Sequence, residues 1–387
     1  MFAIIQSILV YGIMVWIMTY NAKRLLVTNC IPTTFKQFIT NKNILVPLII
    51  FSIFAAIRWR VGADCTSYIF MFYRTASETE LSKGEILFYG IMNFFKYLNA
   101  THIPFFFTLA FIQLGFIYYG LRKNPKMLWF FPLMFVLYGT YWMYMNGVRQ
   151  CLACSIFIFV TLLLSEKKFI WAILWIFIAT LFHRSAYTLF IIGTIFYFTR
   201  NIFINRNIQL IILAGCYAMM GMSVGDQLGN IATDMLDFAG YEEDSQEHLL
   251  EAIFEINFGI RAFLSLAANI VVIFFSKNIR RFYNSQHFNL MYNIYFVGLC
   301  TWVLFYGNHG IERFNMYFTC FIPIMLSAAV YYFYKNWKKQ ICRLSLLIII
   351  SMLFFRTFYE MYDSANSALD LVNYKSVFNN FNFNLIY

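Results

Sequence analysis

Apolar stretches long enough to span a lipid bilayer follow one another along this chain, and short polar gaps separate them. A bilayer core of roughly 30 Å needs about 20 apolar residues per helix. Stretches near that length include Phe2–Tyr20, Ile103–Gly120, Phe258–Phe275, Leu290–Tyr306 and Phe314–Tyr334. Shorter ones, which can span only if they tilt, thin the bilayer or are buried by neighbours, are Ile44–Ile57, Phe169–Phe182 and Leu344–Phe355. The pattern predicts an all-α, polytopic integral membrane protein with about twelve transmembrane helices.

The charges in the gaps follow a two-sided pattern. Alternate gaps, which would share one side of the membrane, are 21–43, 121–128, 166–168, 200–207, 276–287 and 335–343. These gaps hold most of the chain's 29 Lys and Arg residues but only one acid, Glu166. Because basic residues are retained on the cytoplasmic side of multi-pass membrane proteins, the basic side is predicted to be cytoplasmic and the other side to face outward.

Composition agrees with a membrane protein and excludes several other classes. A chain that is 61% hydrophobic and 12% charged is not a soluble globular domain. The net charge of +11 follows from the topology signal, so no nucleic-acid partner is predicted. The eight cysteines form no disulfide or metal pattern, and neither a metal nor a cofactor is expected. Without a linker or an obvious repeat, residues 1–387 are interpreted as one integral membrane domain.

Four polar islands lie on the side that is predicted to face outward. They are residues 58–64 with Tyr68, residues 146–150, residues 183–185 and residues 308–313. Ionisable residues at the ends of spans are costly and usually face a bundle interior or a water-filled cavity. The islands are therefore the candidate functional site of the protein.

Three of the islands are expected to open the helix that follows them. Asn146 or Gly147, Ser185, and Asn308 or Gly310 are the candidate caps. A helix N-terminus presents unpaired N–H groups and a partial positive charge, and an arginine fork matches phosphate oxygens. An Arg in the first turn needs an anion or a carboxylate to offset the helix dipole. The pattern favours a diphosphate or another polyanion as ligand.

The largest outer segment, at about 224–257, is strongly acidic and carries apolar residues at loosely helical spacing. One or two amphipathic helices on the outer surface would fit this pattern. The segment is either a solvated face or a lid over a cavity.

Short motifs spread over most of the chain resemble the EpsG/Wzy-like polysaccharide polymerase family. They are RVGAD at 60–64 with Tyr68, EILFY at 85–89, NGVRQ at 146–150, HRSA at 183–186, Glu312–Arg313 with Tyr317–Phe318, and NYKSVF at 373–378. The chain departs from the family's pattern at Cys65–Thr66, where an aromatic residue is expected after Asp64.

The resemblance implies a membrane glycosyltransferase with a GT-C-like helical bundle. Its substrates would be oligosaccharide repeat units on undecaprenyl diphosphate, used in making O-antigen, capsule or exopolysaccharide. They would be joined on the outer, periplasmic face of the bacterial cytoplasmic (inner) membrane. Membrane lipids and a chain-length regulator protein would be further partners.

This interpretation gives each island residue a role. Arg149 and Arg313 would clamp the diphosphate, with Arg60, Arg184 and Arg58 in support. His183, Asp64 and Glu312 compete as general base, and His183 ranks first because its ordinary pKa is near 6.5. Gln150, His309 and Tyr68 would contact the glycan. Simpler alternatives are headgroup anchoring for Arg58, Arg60 and Arg149, a core position for His183, a structural role for Tyr68, and a Glu312–Arg313 ion pair.

Other functions remain open at the level of sequence. A flippase or transporter of lipid-linked oligosaccharides would favour internal repeats and polar residues near the middle of the membrane. The spans here are almost wholly apolar, and the polar residues lie on one side. A glycan ligase shares the diphosphate chemistry of a polymerase. An acyltransferase would need a cytoplasmic or mid-membrane arrangement of His or Ser for its acyl donor, and the predicted cytoplasmic loops are short and basic.

Overall fold

The computed structural model describes residues 2–28, 32, 34–74, 84–220, 258–367 and 370–379. Over these ranges the chain is predominantly helical and contains no strand; one isolated bridge pairs Arg58 with Ser376. The prediction of an all-α fold is therefore confirmed. The acidic segment 224–257 lies outside the described residues, as does the side chain of His309.

The helices follow one another with short connections. In chain order they are α1 (Phe2–Val27), α2 (Phe35–Thr40), α3 (Lys42–Ala56), α4 (Cys65–Tyr73), α5 (Ile86–Tyr97), α6 (His102–Leu121), α7 (Pro125–Leu128), α8 (Phe131–Leu137), α9 (Thr140–Asn146), α10 (Val148–Ser165), α11 (Phe169–Thr180), α12 (Thr188–Thr199), α13 (Arg206–Met219), α14 (Ile260–Phe274), α15 (Ser276–Tyr283), α16 (Gln286–Leu304), α17 (His309–Thr319), α18 (Ile322–Lys335) and α19 (Gln340–Asn366). Short 3₁₀ turns occur at Arg184–Tyr187 and Val377–Asn379.

Five helical segments of the described chain are long and apolar enough to cross a membrane. They are α1, α6, α10, the segment Ile311–Lys335 and α19. Helices α14 and α15 pass the same test together but bend by 62° between them, and α3 and α11 are apolar but shorter. These helices support a membrane protein, while the count of about twelve spans and the GT-C-like arrangement stay predictions.

Helix α19 is longer than the apolar pattern predicts. The sequence stretch ends at Phe355, because Arg356 follows it, yet the helix continues to Asn366. Arg356 and Glu360, one turn apart, lie 2.6 Å from each other through Nη1 and Oε2. Pairing within the helix reduces the cost of both charges, so the helix does not stop at the first of them.

The described chain divides into two compact units. The first comprises Met1–Ile156, Leu181–His183 and Phe354–Tyr387, and the second comprises Phe157–Thr180 and Arg184–Leu353. Each unit has its own buried apolar core. The expectation of one integral membrane domain over 1–387 stays a prediction.

In the first unit, α3 packs against both α1 and α6, and an aromatic cluster joins α1 to α9. The ring of Tyr11 lies 5.2 Å from that of Tyr141 and 5.9 Å from that of Trp142, in edge-to-face arrangements. Such pairs add about 0.5–1.5 kcal/mol beyond the apolar area they bury. The cluster anchors α9, the helix that leads directly into α10.

Residues 370–379, called the C-terminal strap below, bind along the first unit. The hydroxyl of Tyr11 donates to the carbonyl of Val372 at 2.8 Å, and the N–H of Tyr374 donates to the hydroxyl of Ser7 at 2.8 Å. The N–H of Trp59 donates to the carbonyl of Lys375, also at 2.8 Å. The strap thereby holds the loop that carries the RVGAD motif, although the two lie far apart in sequence.

Gly62 lets this loop approach the junction between α9 and α10. Its φ is +86°, a region that residues with a side chain rarely adopt, and its N–H donates to the carbonyl of Leu371 at 2.8 Å. A Cβ at this position would lie 3.1 Å from Cα of Asn146. The close approach lets the side-chain oxygen of Asn146 accept a 2.8 Å hydrogen bond from the N–H of Asp64.

Gly62→Ala is expected to destabilise the protein by about 1–3 kcal/mol, because it combines a left-handed backbone conformation with a crowded Cβ. The midpoint of thermal unfolding in detergent, followed by loss of the monodisperse chromatographic peak, measures the effect. Gly12→Ala in α1 is the matched control, since no atom lies within 4 Å of its added Cβ. Equal midpoints for the two variants would contradict the prediction.

In the second unit, buried polar side chains link the helices to one another. The hydroxyl of Tyr292 in α16 donates to the side-chain oxygen of Gln209 in α13 at 2.7 Å, and that of Tyr295 donates to the side-chain oxygen of Asn269 in α14 at 3.0 Å. In α17, the side-chain oxygen of Asn315 accepts a 2.6 Å bond from Thr301. Bonds of this kind hold helices together in membranes, where apolar burial between helices contributes little.

Candidate functional site

Glu85 is a buried carboxylate with two cationic partners. Its side chain is 5% exposed and stands just before α5 without capping that helix. Oε1 lies 2.7 Å from Nδ1 of His183, and Oε2 accepts a hydrogen bond from Nη1 of Arg149. A buried carboxylate is costly unless it is paired and hydrogen-bonded, and both of its oxygens are satisfied here. Glu85, His183 and Arg149 are called the Glu85 cluster below.

Backbone contacts bring the three segments of the cluster together. The N–H of Leu87, at the start of α5, donates to the carbonyl of Leu181 at 3.0 Å, so His183 follows two residues after an anchored position. Arg149 is the second residue of α10, whose first carbonyl acceptor is Gly147, bonded to the N–H of Cys151 at 2.8 Å. All three side chains of the cluster belong to the first unit.

The charges in the cluster balance one another. Arg149 lies in the first turn of α10, where the helix dipole disfavours a cation, and the carboxylate of Glu85 offsets that penalty. Burial by itself raises the pKa of Glu85, but the hydrogen bond to His183 and the charge of Arg149 outweigh burial and hold this pKa below its ordinary value. Glu85 is therefore ionised at neutral pH and is an ion-pair partner rather than a proton acceptor.

The contact with Glu85 assigns a tautomer to His183. An ionised carboxylate only accepts hydrogen bonds, so Nδ1 must carry the proton that is directed at Oε1. In the neutral imidazole the lone pair is then on Nε2. The side chain of His183 is 13% exposed. This arrangement, in which a carboxylate orients a histidine whose second nitrogen can take a proton, suits general base catalysis.

Arg149 keeps donors that Glu85 does not use. Its guanidinium carbon lies 5.8 Å from the ring centre of Tyr68 and 5.5 Å from that of Phe88, so aromatic faces fix its orientation. Its Nε is buried without a hydrogen-bond partner, while the side chain as a whole is 26% exposed. A buried donor without a partner costs about 1–3 kcal/mol. Because Nε is buried, an anion can reach only the exposed part of the Arg149 side chain.

The charged residues of the first polar island, at 58–64, differ in their exposure to solvent. Arg58 is 2% exposed, and its terminal nitrogens donate to the carbonyls of Ala55 and, at 3.1 Å, Met145. Arg60 and Asp64 are exposed, and the backbone of Asp64 is tied to Asn146. Arg58 thus has the contacts of a residue that holds α3 to α9, and its part in binding diphosphate stays a prediction that these contacts do not favour.

Two further predicted residues of the first unit are buried. Tyr68 is 5% exposed and packs its ring near those of Phe88 and Phe106, and Gln150 is 6% exposed. Tyr68 reaches the cluster through Arg149, as described above. Contact of either residue with a glycan stays a prediction.

The remaining predicted residues, Arg184, His309, Glu312 and Arg313, belong to the second unit. Asn308 caps α17, as predicted, because its side-chain oxygen accepts the N–H of Ile311 at 3.0 Å. Ser185 does not cap a helix; its hydroxyl lies 2.8 Å from that of Tyr317. A side-chain oxygen of Glu312 accepts the N–H of Gly307 at 3.4 Å.

No cluster of three or more His, Cys, Asp or Glu side chains that could hold a metal ion occurs within the described ranges. The expectation of a site without metal or cofactor stays a prediction.

Sequence reasoning missed the role of Glu85. It is the first residue of the motif EILFY at 85–89, and its position in the sequence carries a signal. It stands directly before an apolar helix, in a chain with few acids outside 224–257. An acid at such a position needs a partner, and Arg149 and His183 are basic residues predicted on the same side of the membrane.

Comparison with known proteins gives one result. The family model described as EpsG family matches residues 43–376, which is most of the chain and includes every member of the Glu85 cluster. No curated protein and no solved structure matches the chain.

Proposed function

Because this chain belongs to the EpsG family, which is associated with polysaccharide polymerases of the glycosyltransferase type, we propose that it polymerises lipid-linked oligosaccharides. Its substrates are repeat units on undecaprenyl diphosphate, and the reaction takes place on the outer face of the bacterial cytoplasmic membrane. The observation that carries the proposal is the Glu85 cluster, which joins a carboxylate-oriented histidine to a partly exposed arginine.

The reaction assigns one role to each member of the cluster. A hydroxyl of the incoming repeat unit attacks the anomeric carbon of the growing chain, and its proton passes to Nε2 of His183. A glycosidic C–O bond forms while the bond from the anomeric carbon to the diphosphate oxygen breaks. Glu85 stays ionised and stabilises the imidazolium that results, as the carboxylate of a catalytic triad does.

Negative charge develops on the lipid diphosphate as it departs, and Arg149 is placed to stabilise it. Fixed donors directed at developing charge are commonly the largest single contribution to catalysis. Arg149 combines a fixed orientation over two rings, a partly exposed side chain and a position in the first turn of α10. Arg313, Arg60 and Arg184 are proposed as further diphosphate ligands, and a chain-length regulator as a partner protein.

Arg149→Ala is expected to collapse the length ladder of the surface glycan to single repeat units, because losing one donor to the developing charge costs about 10²- to 10³-fold in rate. The gene is deleted in its host and complemented with wild type or variant, with protein levels checked, and the glycan is run on a gel. Arg122→Ala is the matched control, since Arg122 stacks on Tyr119 in the first unit, in a gap predicted to be cytoplasmic.

The same gels separate the proposed function from its rivals. Single units that are delivered outward but never joined support a polymerase. Lipid-linked units that accumulate inside would instead assign a flippase. Full-length chains that remain on their lipid would assign a ligase. A normal ladder in the deletion strain would place the function outside polysaccharide assembly.

A further inference from the structure

Five cations of the second unit lie on neighbouring segments: Arg200, Arg206, Lys277, Arg280 and Arg281. They are called the cationic patch below. The side chain of Asn293 in α16 donates to the carbonyl of Ile202 at 2.7 Å, and that of Gln286 donates to the side-chain oxygen of Asn201 at 3.3 Å. Nη1 of Arg206 reaches the carbonyl of Phe274, two residues before α15, at 3.5 Å. The segment 200–206 is thus held beside α15 and α16.

Among the described residues of the second unit, no acidic side chain forms an ion pair with the cationic patch. The acids there are Glu166 and Glu312. The first pairs with Lys168 at 2.7 Å, and the second accepts a backbone N–H, at Gly307. No ion pair forms at any of the five cations within the described ranges. Uncompensated like charges on neighbouring segments repel one another, and an anionic partner would relieve that repulsion.

Aromatic rings fix three of the five cations in place. The guanidinium carbon lies 4.3 Å from the ring centre of Tyr197 for Arg200, 4.8 Å from that of Phe274 for Arg206, and 4.3 Å from that of Phe203 for Arg280.

The side chain of Arg280 is also fixed by a hydrogen bond, because its Nε donates to the side-chain oxygen of Asn289 at 3.0 Å. Its two terminal nitrogens form no hydrogen bond within the described ranges. Side chains that are ordered before binding lose less entropy when they bind an anion. A fixed guanidinium also presents a planar fork that matches two phosphate oxygens.

Helix α15 directly follows the apolar helix α14. It turns away from the apolar helix α14 by 62°. Ser276 and Ile279 are buried on one side, whereas Lys277 and Arg281 are exposed. The buried side packs on the protein rather than on lipid, and exposed cations directly after an apolar helix are typical of segments that bind anionic headgroups.

We propose that the cationic patch binds the phosphate headgroups of anionic phospholipids, in the leaflet on the side predicted to be cytoplasmic. The exposed cations of α15, directly after the apolar helix α14, would lie at headgroup level, and the ring-stacked arginines supply the phosphate ligands. This site is independent of the polymerase reaction, because none of its residues belongs to the Glu85 cluster.

The test counts lipids bound to the purified full-length chain by native mass spectrometry. The protein, in a non-ionic detergent, is mixed with equal amounts of dioleoylphosphatidylglycerol and dioleoylphosphatidylcholine. The wild type is expected to retain the anionic lipid over the zwitterionic one by about tenfold. The preference should weaken as salt rises from low to high ionic strength, since salt screens exposed charges. This measurement needs no variant.

Two triple variants with the same change in charge locate the site. The first is Arg206→Gln, Arg280→Gln and Arg281→Gln, which should lose most of the preference. The control is Lys338→Gln, Lys339→Gln and Arg343→Gln, three exposed cations of another basic gap, which should keep it.

Three results would overturn the proposal: no preference in the wild type, equal loss in the two triple variants, or full displacement of the lipid by inorganic phosphate at the same concentration. The last would assign the patch to a free phosphate compound rather than to a lipid.

Discussion

Glu85→Gln is expected to slow chain extension by about a thousandfold while the protein still accumulates in the membrane. Glutamine keeps the size of the side chain but not its charge, and its single amide oxygen can accept from Arg149 or from His183 but not from both. When that oxygen faces Arg149, the amide N–H points at Nδ1 of His183 and favours the wrong tautomer. Replacing the carboxylate partner of a catalytic histidine by its amide can lower turnover by ~10⁴-fold through the wrong tautomer. The measurement is the rate of extension with purified lipid-linked repeat units, with kcat and KM for the acceptor determined separately.

The effect should appear in kcat, with KM for the acceptor little changed, because Glu85 acts through His183 rather than by touching the acceptor. Glu166→Gln is the matched control. It also removes a carboxylate from an ion pair, with Lys168 at 2.7 Å, but in a basic gap away from the Glu85 cluster. Wild-type kcat in Glu85→Gln, or an equal loss in Glu166→Gln, would contradict the assigned role.

The lowered pKa of Glu85 also predicts how the stability difference between wild type and Glu85→Gln depends on pH. Its folded-state pKa lies below its ordinary value, which is roughly 4.3 in an unfolded chain. A lowered pKa stabilises the folded state at pH values above the unfolded pKa, and the contribution is lost as pH falls through the folded pKa. The difference in thermal midpoint between wild type and Glu85→Gln should therefore be constant near neutral pH and shrink below about pH 4.

His183→Ala is expected to reduce chain extension by about 10²- to 10⁴-fold, the usual contribution of a general base. The substitution removes the nitrogen proposed to accept the proton of the acceptor hydroxyl but leaves Arg149 paired with Glu85. In cells, the surface glycan should shorten to single repeat units. With purified protein, added imidazole should restore part of the rate, a rescue that a purely structural histidine would not show.

His287→Gln is the control for this substitution. His287 is buried in the second unit, and its Nε2 lies 3.1 Å from the hydroxyl of Thr161, a contact that glutamine can replace. We expect a normal ladder in His287→Gln. A full ladder in His183→Ala, or a loss that imidazole does not reverse while Glu85→Gln is active, would move the general base to Asp64 or Glu312.

The helices were predictable from local pattern, and their ends were less so. Apolar runs near 20 residues identify α1 and α6, because only their length and composition matter. The end of α19 depended instead on a charge pair, and an apolar-run criterion stops at Arg356 although Glu360 neutralises it within the helix. The bend between α14 and α15 was likewise absent from the prediction of a single stretch ending at Phe275.

The candidate site was predictable in part. Arg149 and His183 stood out, since basic residues at the ends of apolar helices are costly and need a reason to be there. The burial of Arg58 could not be predicted from the sequence. An arginine at the end of an apolar helix can extend to the lipid headgroups or donate to buried carbonyls, as Arg58 does, and the local sequence is the same in both cases. The role of Glu85 in joining Arg149 to His183 required knowledge of which chain segments meet.

The sequence by itself determined the all-α character of this protein, its long apolar helices and its membership of the EpsG family, because length, hydropathy and ordered motifs are properties of the chain. Only the tertiary structure decided the partners. Glu85 and His183 are in contact although they are 98 positions apart in the sequence. Tyr374 of the strap, whose N–H donates to the hydroxyl of Ser7, is 367 positions from it. A buried charge is tolerated only with a partner within hydrogen-bond reach, and packing of the whole unit determines which residue that partner is.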